Sequence, residues 1–247
     1  DNVAFGNTAL TKNTTGCNNS AIGSAALNKN TTGIHNIGMG INALYGNTVG
    51  QRNVAIGQSA MQCALSGCHN FATGQSALYS NYGGCYNTAL GDRALCDNTT
   101  GSNNVALGCV TLQNNTTGGS NFAALNSALG GNTTGTSNIG IGSCALYQNT
   151  TSSYSVGIGL HSLCSSTGCE NIGIGQQSGS KITTGIRNIA IGSEGMSTGP
   201  TTGSYNLGIG YRSLRANTSG AGNVAIAGLG GLQNNTTGSN NVALGYN

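Results

Sequence analysis

The 247-residue chain sets eight Lys and Arg against five Asp and Glu, a net charge of +3, and only 5% of its residues are charged, against about 25% in ordinary soluble proteins. Charge this sparse and scattered excludes a nucleic-acid footprint or a polybasic membrane patch. No apolar run reaches the roughly 18 residues of a membrane helix. High Gly content (43 residues) alone would allow disorder, but a fixed period excludes it.

Asn opens a repeat at Asn2, Asn19, Asn36, Asn53, Asn70, Asn87, Asn104, Asn121 and Asn138, always 17 residues apart. Ser155 takes the next slot, and Asn171, Asn188, Asn206, Asn223 and Asn241 follow at spacings of 16, 17, 18, 17 and 18. The unit reads Asn-Val-Ala-Ile-Gly-x-x-Ala-Leu-x-x-Asn-Thr-Thr-Gly-x-x, with positions numbered from its Asn. So short a period predicts a stack of near-identical coils. The expected fold is all-β: a parallel β-solenoid (β-roll or β-helix) of about fifteen 17-residue coils, one continuous repeat domain over 1–247. The chain opens with no signal peptide and shows no polar cap, so a segment of a longer fibre is expected.

Positions 1–5 alternate as a strand does. Position 2 (Val3, Ile37, Val54, Phe71, Val105) and position 4 (Phe5, Ile22, Met39, Ile56, Leu90) share one face, which the alternation and their size assign to the interior. Position 3 between them holds Ala4, Ala21, Gly38, Ala55, Ala72, Ala89, Ala106, Ala123, Gly140, Gly157, Gly173, Ala190, Gly208, Ala225 and Ala243, never anything larger than Ala. On an outward face a strict size limit implies a second backbone, so this column is expected to be a subunit interface, most simply of three chains. Gly at position 5 ends the strand at a corner. Position 9 forms a third apolar column, including Leu10, Leu27, Leu44 and Met61.

The Asn-Thr-Thr-Gly turn then closes the coil. The position-1 Asn residues are expected to form a side-chain ladder along the stack. Rows of Thr raise an ice-binding reading, although adjacent Thr residues in a turn cannot both project from one flat face. Position 17 varies freely (His35, Arg52, His69, Tyr86), as solvent-facing residues do. Surface Tyr residues could stack on sugars. Of nine Cys, Cys68 and Cys85 stand on adjacent coils at a separation compatible with a disulfide. No carboxylate pair, nucleophile–base set, metal-ligand spacing or phosphate loop appears, so no catalytic residue, metal or cofactor is assigned and an enzyme is not expected.

Asn53-Val54-Ala55-Ile56-Gly57 and Asn188-Ile189-Ala190-Ile191-Gly192 resemble the head repeats of YadA-like trimeric autotransporter adhesins. The longer unit, as in the run from Asn235 through Asn247, is similar to repeats of phage and large-virus tail-fibre proteins. The resemblance implies a left-handed homotrimeric β-roll fibre, on a virion or cell surface, with a structural and adhesive role. Its implied partners are two further copies of the chain and cell-surface glycans or a receptor, with neither nucleic acid nor membrane insertion. A bacterial adhesin head is the alternative, and an ice-binding solenoid the third reading.

Overall fold

The computed structural model describes residues 1–246 and is all-β, with fifteen short parallel strands and no helix among them. They are β1 (Val3–Phe5), β2 (Ser20–Ile22), β3 (Ile37–Met39), β4 (Val54–Ile56), β5 (Phe71–Thr73), β6 (Thr88–Leu90) and β7 (Val105–Leu107), then β8 (Phe122–Ala124), β9 (Ile139–Ile141), β10 (Val156–Ile158), β11 (Ile172–Ile174), β12 (Ile189–Ile191), β13 (Leu207–Tyr211), β14 (Val224–Leu229) and β15 (Val242–Gly245). Contacts group them into two compact units, Asp1–Asn121 and Phe122–Asn247. The expected parallel β-solenoid is found in each.

In the first unit β1 to β7 pair in chain order, always one coil apart: Val54 lies beside Phe71, Ala55 beside Ala72 and Ile56 beside Thr73. The second unit repeats this from β8 onward, with Phe122 beside Ile139, and its register shifts once, between Ile209 and Tyr211. Backbone bonding continues beyond the strands. The Leu27 N–H donates to Ala43 at 2.9 Å and the Leu44 N–H to Ala60 at 3.0 Å. Corners take left-handed backbone at fixed positions. Gly40 has φ of 132°, and a Cβ there would stand 2.6 Å from the Gly57 carbonyl oxygen, so Gly40 admits no side chain in this backbone; in the second unit the same position holds Leu125, at φ of 76°, and Ala227. Positions 7, 9 and 17 are left-handed without Gly, as at Asn42, Leu44 and Arg52 (φ 58°, 52° and 53°). Each such residue costs about 1–2 kcal/mol, and only stacking against neighbouring coils holds it there.

The strand faces are the reverse of the expectation. Ala21, Ala55, Ala72, Ala89 and Ala106 are fully buried inside the single chain, as are Ala123, Ala190 and Ala225 in the second unit. The large residues on either side point outward: Ile37 and Met39 are both 38% exposed and Phe71 41%. From Ala21 to Ala225 the column is therefore not an outward face, and its size limit needs no second chain; Ala4 is exposed and Ala243 half-buried in the first and last coils. The reason is the narrowness of the coil. A Cβ on Gly38 would lie 3.4 Å from Leu27 Cγ and 3.2 Å from the Ala43 carbonyl oxygen, so the strand rests on the Ala-Leu segment with room for a methyl group and no more. Position 8 (Ala26, Ala43, Ala60) and position 9 (Leu27, Leu44, Met61) complete a dry interior with no exposed surface.

Two amide columns flank this apolar strip. The Asn36 N–H donates to Asn19 Oδ1 at 2.9 Å, and Asn36 Nδ2 donates to the Gly50 carbonyl at 2.7 Å. Asn47 Nδ2, from position 12, donates to Asn30 Oδ1 at 2.8 Å and to the same Gly50 carbonyl at 3.3 Å. Both lone pairs of the position-15 carbonyl are thereby used. Burying an amide without partners would cost about 1–3 kcal/mol, and the coil-to-coil repeat supplies those partners. Ser155 continues the first column by accepting the Asn171 N–H at 3.3 Å on its Oγ.

Candidate functional site

The outward side of the strands is the most distinctive surface. In the first unit positions 2 and 4 present Val3, Phe5, Ile22, Ile37, Met39, Val54, Ile56, Phe71, Leu90, Val105 and Leu107, interrupted by Ser20, Thr73 and Thr88. The second unit presents the same two columns from Phe122 and Ile139 through Ile174, Ile189 and Ile226 to Leu244. Parallel pairing in register aligns each column, so the apolar residues form rows, broken in the first unit only at those three polar positions. Single exposed apolar side chains are normal, but aligned rows mark an interaction surface. No charged residue lies at positions 2 or 4 in either unit.

The position-1 Asn column, from Asn2 through Asn138, lies inside the coils and is satisfied by the chain itself; apart from Asn2 its members are buried. Its amides are occupied by structure and present nothing to a ligand. At position 13 the Thr hydroxyls are also engaged: Thr31 Oγ1 donates to the Thr48 carbonyl and Thr99 Oγ1 to the Thr116 carbonyl, both at 2.9 Å. Position 14 (Thr32, Thr100, Thr117) is exposed. Cys68 and Cys85 adjoin but carry free thiols rather than the disulfide considered from sequence. The Cys68 N–H donates to Cys85 Sγ at 3.1 Å. Burial first, then the hydrogen bond and charge of Cys85, pushes the Cys68 thiol up to about 11.

Position 17 forms a side-chain ridge. Arg52 Nη1 sits 3.4 Å from His69 Nε2, and the His69 ring stacks on Tyr86 with centroids 4.8 Å apart. In the second unit Arg187 donates to Glu170 at 2.8 and 3.3 Å and to Tyr205 Oη at 2.9 Å. The hydrogen bond from Arg187 holds the Glu170 carboxyl below its usual range. Exposed pairs of this kind contribute little stability. No cluster of three or more His, Cys, Asp or Glu able to hold a metal occurs among the described residues, and none of their helices is long and apolar enough to cross a membrane. No protein-family model matches the chain, and no curated protein matches it.

Proposed function

We propose that this chain is a structural fibre segment with an adhesive role, assembled as a homotrimer through the outward Val/Ile face and displayed on a virion or cell surface. The observation that carries the reading is the apolar double row, repeated coil after coil on a surface without charge. A face placed identically on successive coils is closed best by copies running alongside in the same register. Cyclic symmetry leaves no apolar row uncovered, and three chains is the number implied by the resemblance of the repeats. Each Ile that passes from partial exposure to burial adds up to about 1.5–3 kcal/mol, so a long interface accumulates stability from modest contacts.

Analytical ultracentrifugation tests this. The expected species has about three times the 24.5 kDa chain mass. Ile56→Glu with Ile139→Glu, at positions 37% and 38% exposed, should leave each chain's β-sheet circular dichroism intact and reduce the mass to one chain. A monomeric parent protein would refute the assembly, and a dimer would refute its three-fold form. An ice-binding role draws less support, because the position-13 hydroxyls are consumed by neighbouring carbonyls instead of ordering water.

A further inference from the structure

The fourth and fifth coils break the repeat where the first unit is otherwise constant. Position 12 is Asn in its other coils but Ala64 here, and position 13 is Thr except at Leu65 and Tyr82. Ala64 keeps the local backbone of its neighbours: its N–H donates to Met61 at 3.1 Å, as the Asn47 N–H does to Leu44. With no amide on Ala64, Asn47 Oδ1 is buried without a hydrogen-bond partner. The ladder thus gives up stability at the place where two larger side chains, each 45% exposed, replace threonine on the surface. An unmet polar atom beside a surface hollow marks a place where stability is given up for something other than folding.

Leu65 and Tyr82 join Lys29, Tyr45, Gln62 and Cys63 around an open hollow of about 280 Å³. That is near the lower end of ligand pockets, roughly 300 Å³, and suits one ring. It lies across the coil interior from the strand. We propose that this hollow binds a saccharide ring bearing a carboxylate. The Tyr45 and Tyr82 rings and Leu65 offer apolar surface to the C–H face of a pyranose. The Gln62 amide can both donate to and accept from ring hydroxyls. Lys29 Nζ stands 4.9 Å from the Tyr45 ring centre, and no carboxylate forms a salt bridge with it among the described residues. A cation is the sole charge lining the hollow, which selects an acidic sugar over a neutral one.

This site gives chemical content to the adhesive part of the preceding reading, and its test is independent of assembly. Isothermal calorimetry and saturation-transfer NMR on the full chain would use sialyllactose and digalacturonate as probes, with lactose as the neutral control. At least one acidic probe should bind at least tenfold more tightly than lactose. Leu65→Thr with Tyr82→Thr, which restores the consensus, should lose that binding at least tenfold while the melting temperature holds or rises. Lys29→Met, at an exposed position, should remove the preference for the acid. Absence of binding by both acidic probes at about 10 mM, equal binding of lactose, a preference for the acid retained in Lys29→Met, or binding retained in the folded consensus double variant would each overturn the proposal.

Discussion

Ala64→Asn should stabilise the protein, against the general rule that a new polar group in a core is harmful. The parent carries an orphaned acceptor, Asn47 Oδ1, whose penalty is about 1–3 kcal/mol. A side chain built as its neighbours are would donate to Asn47 Oδ1 and the Gly67 carbonyl, repeating the 2.8 and 3.3 Å bonds that Asn47 makes one coil earlier. Its own oxygen would face Asn81 Nδ2, which already donates to Gly84 at 2.9 Å. Ordering the new side chain costs about 1 kcal/mol, which leaves a net gain of about 1 kcal/mol. For a chain of this length that is a rise in melting temperature of about 2–4 °C. Calorimetry reads the shift, and hydrogen exchange at the Gly50 and Gly67 amides should slow with it. An unchanged or lowered melting temperature would refute the reasoning, because it would mean that the space beside Ala64 is not shaped for an amide.

Two further outcomes follow from local geometry. A Cβ on Gly173 would lie 2.7 Å from Ser162 Oγ and 2.8 Å from Leu163 Cγ, so Gly173→Ala should destabilise by about 1–3 kcal/mol. Gly38→Ala, with its closest approaches at 3.2 and 3.4 Å, should cost less than about 1 kcal/mol; equal urea midpoints for the two variants would contradict this. Cys68, pushed up to about 11 from 9.0, holds about 100-fold less thiolate at pH 8 than an unperturbed thiol. Iodoacetamide labelling mapped by mass spectrometry should find it slow in the native chain, and a rate equal to that in denatured chain would refute the shift. Because the folded value lies above the unfolded one, the associated stability is complete below pH 9 and is lost as pH rises toward 11.

Period, strand position, parallel stacking and corner glycines were all readable in the sequence, because each depends on local residue type repeated at a fixed interval. The inside and outside of the strand were not, because alternation defines two faces without saying which is which. Size favoured placing Val54 and Ile56 within, and the coil proved too narrow for them. A parity signal was nonetheless present. Asn53 and Ala55 are two residues apart and share a face, so an Asn column bonded within the stack carries the tiny column inside with it. The recurrence of Ala at position 8 pointed the same way: two facing rows of methyl groups, Ala55 and Ala60 among them, set the spacing of the core. The hollow beside Tyr82 was visible only as an interruption of the Thr rows, since its lining comes from several coils.

The doubly bonded position-15 carbonyl has a consequence for how such a chain can change its length. Both its partners, at positions 1 and 12, come from its own coil, while the links to the coil before run from those same two residues to the amide oxygens one repeat earlier, so whole units can be inserted or removed while every junction stays chemically the same. The 18-residue step from Asn188 to Asn206 keeps the 3.0 Å amide link and takes its additional residue elsewhere in the loop. Gene duplication could thus extend or shorten the protein by whole repeats and leave the remaining ones undisturbed.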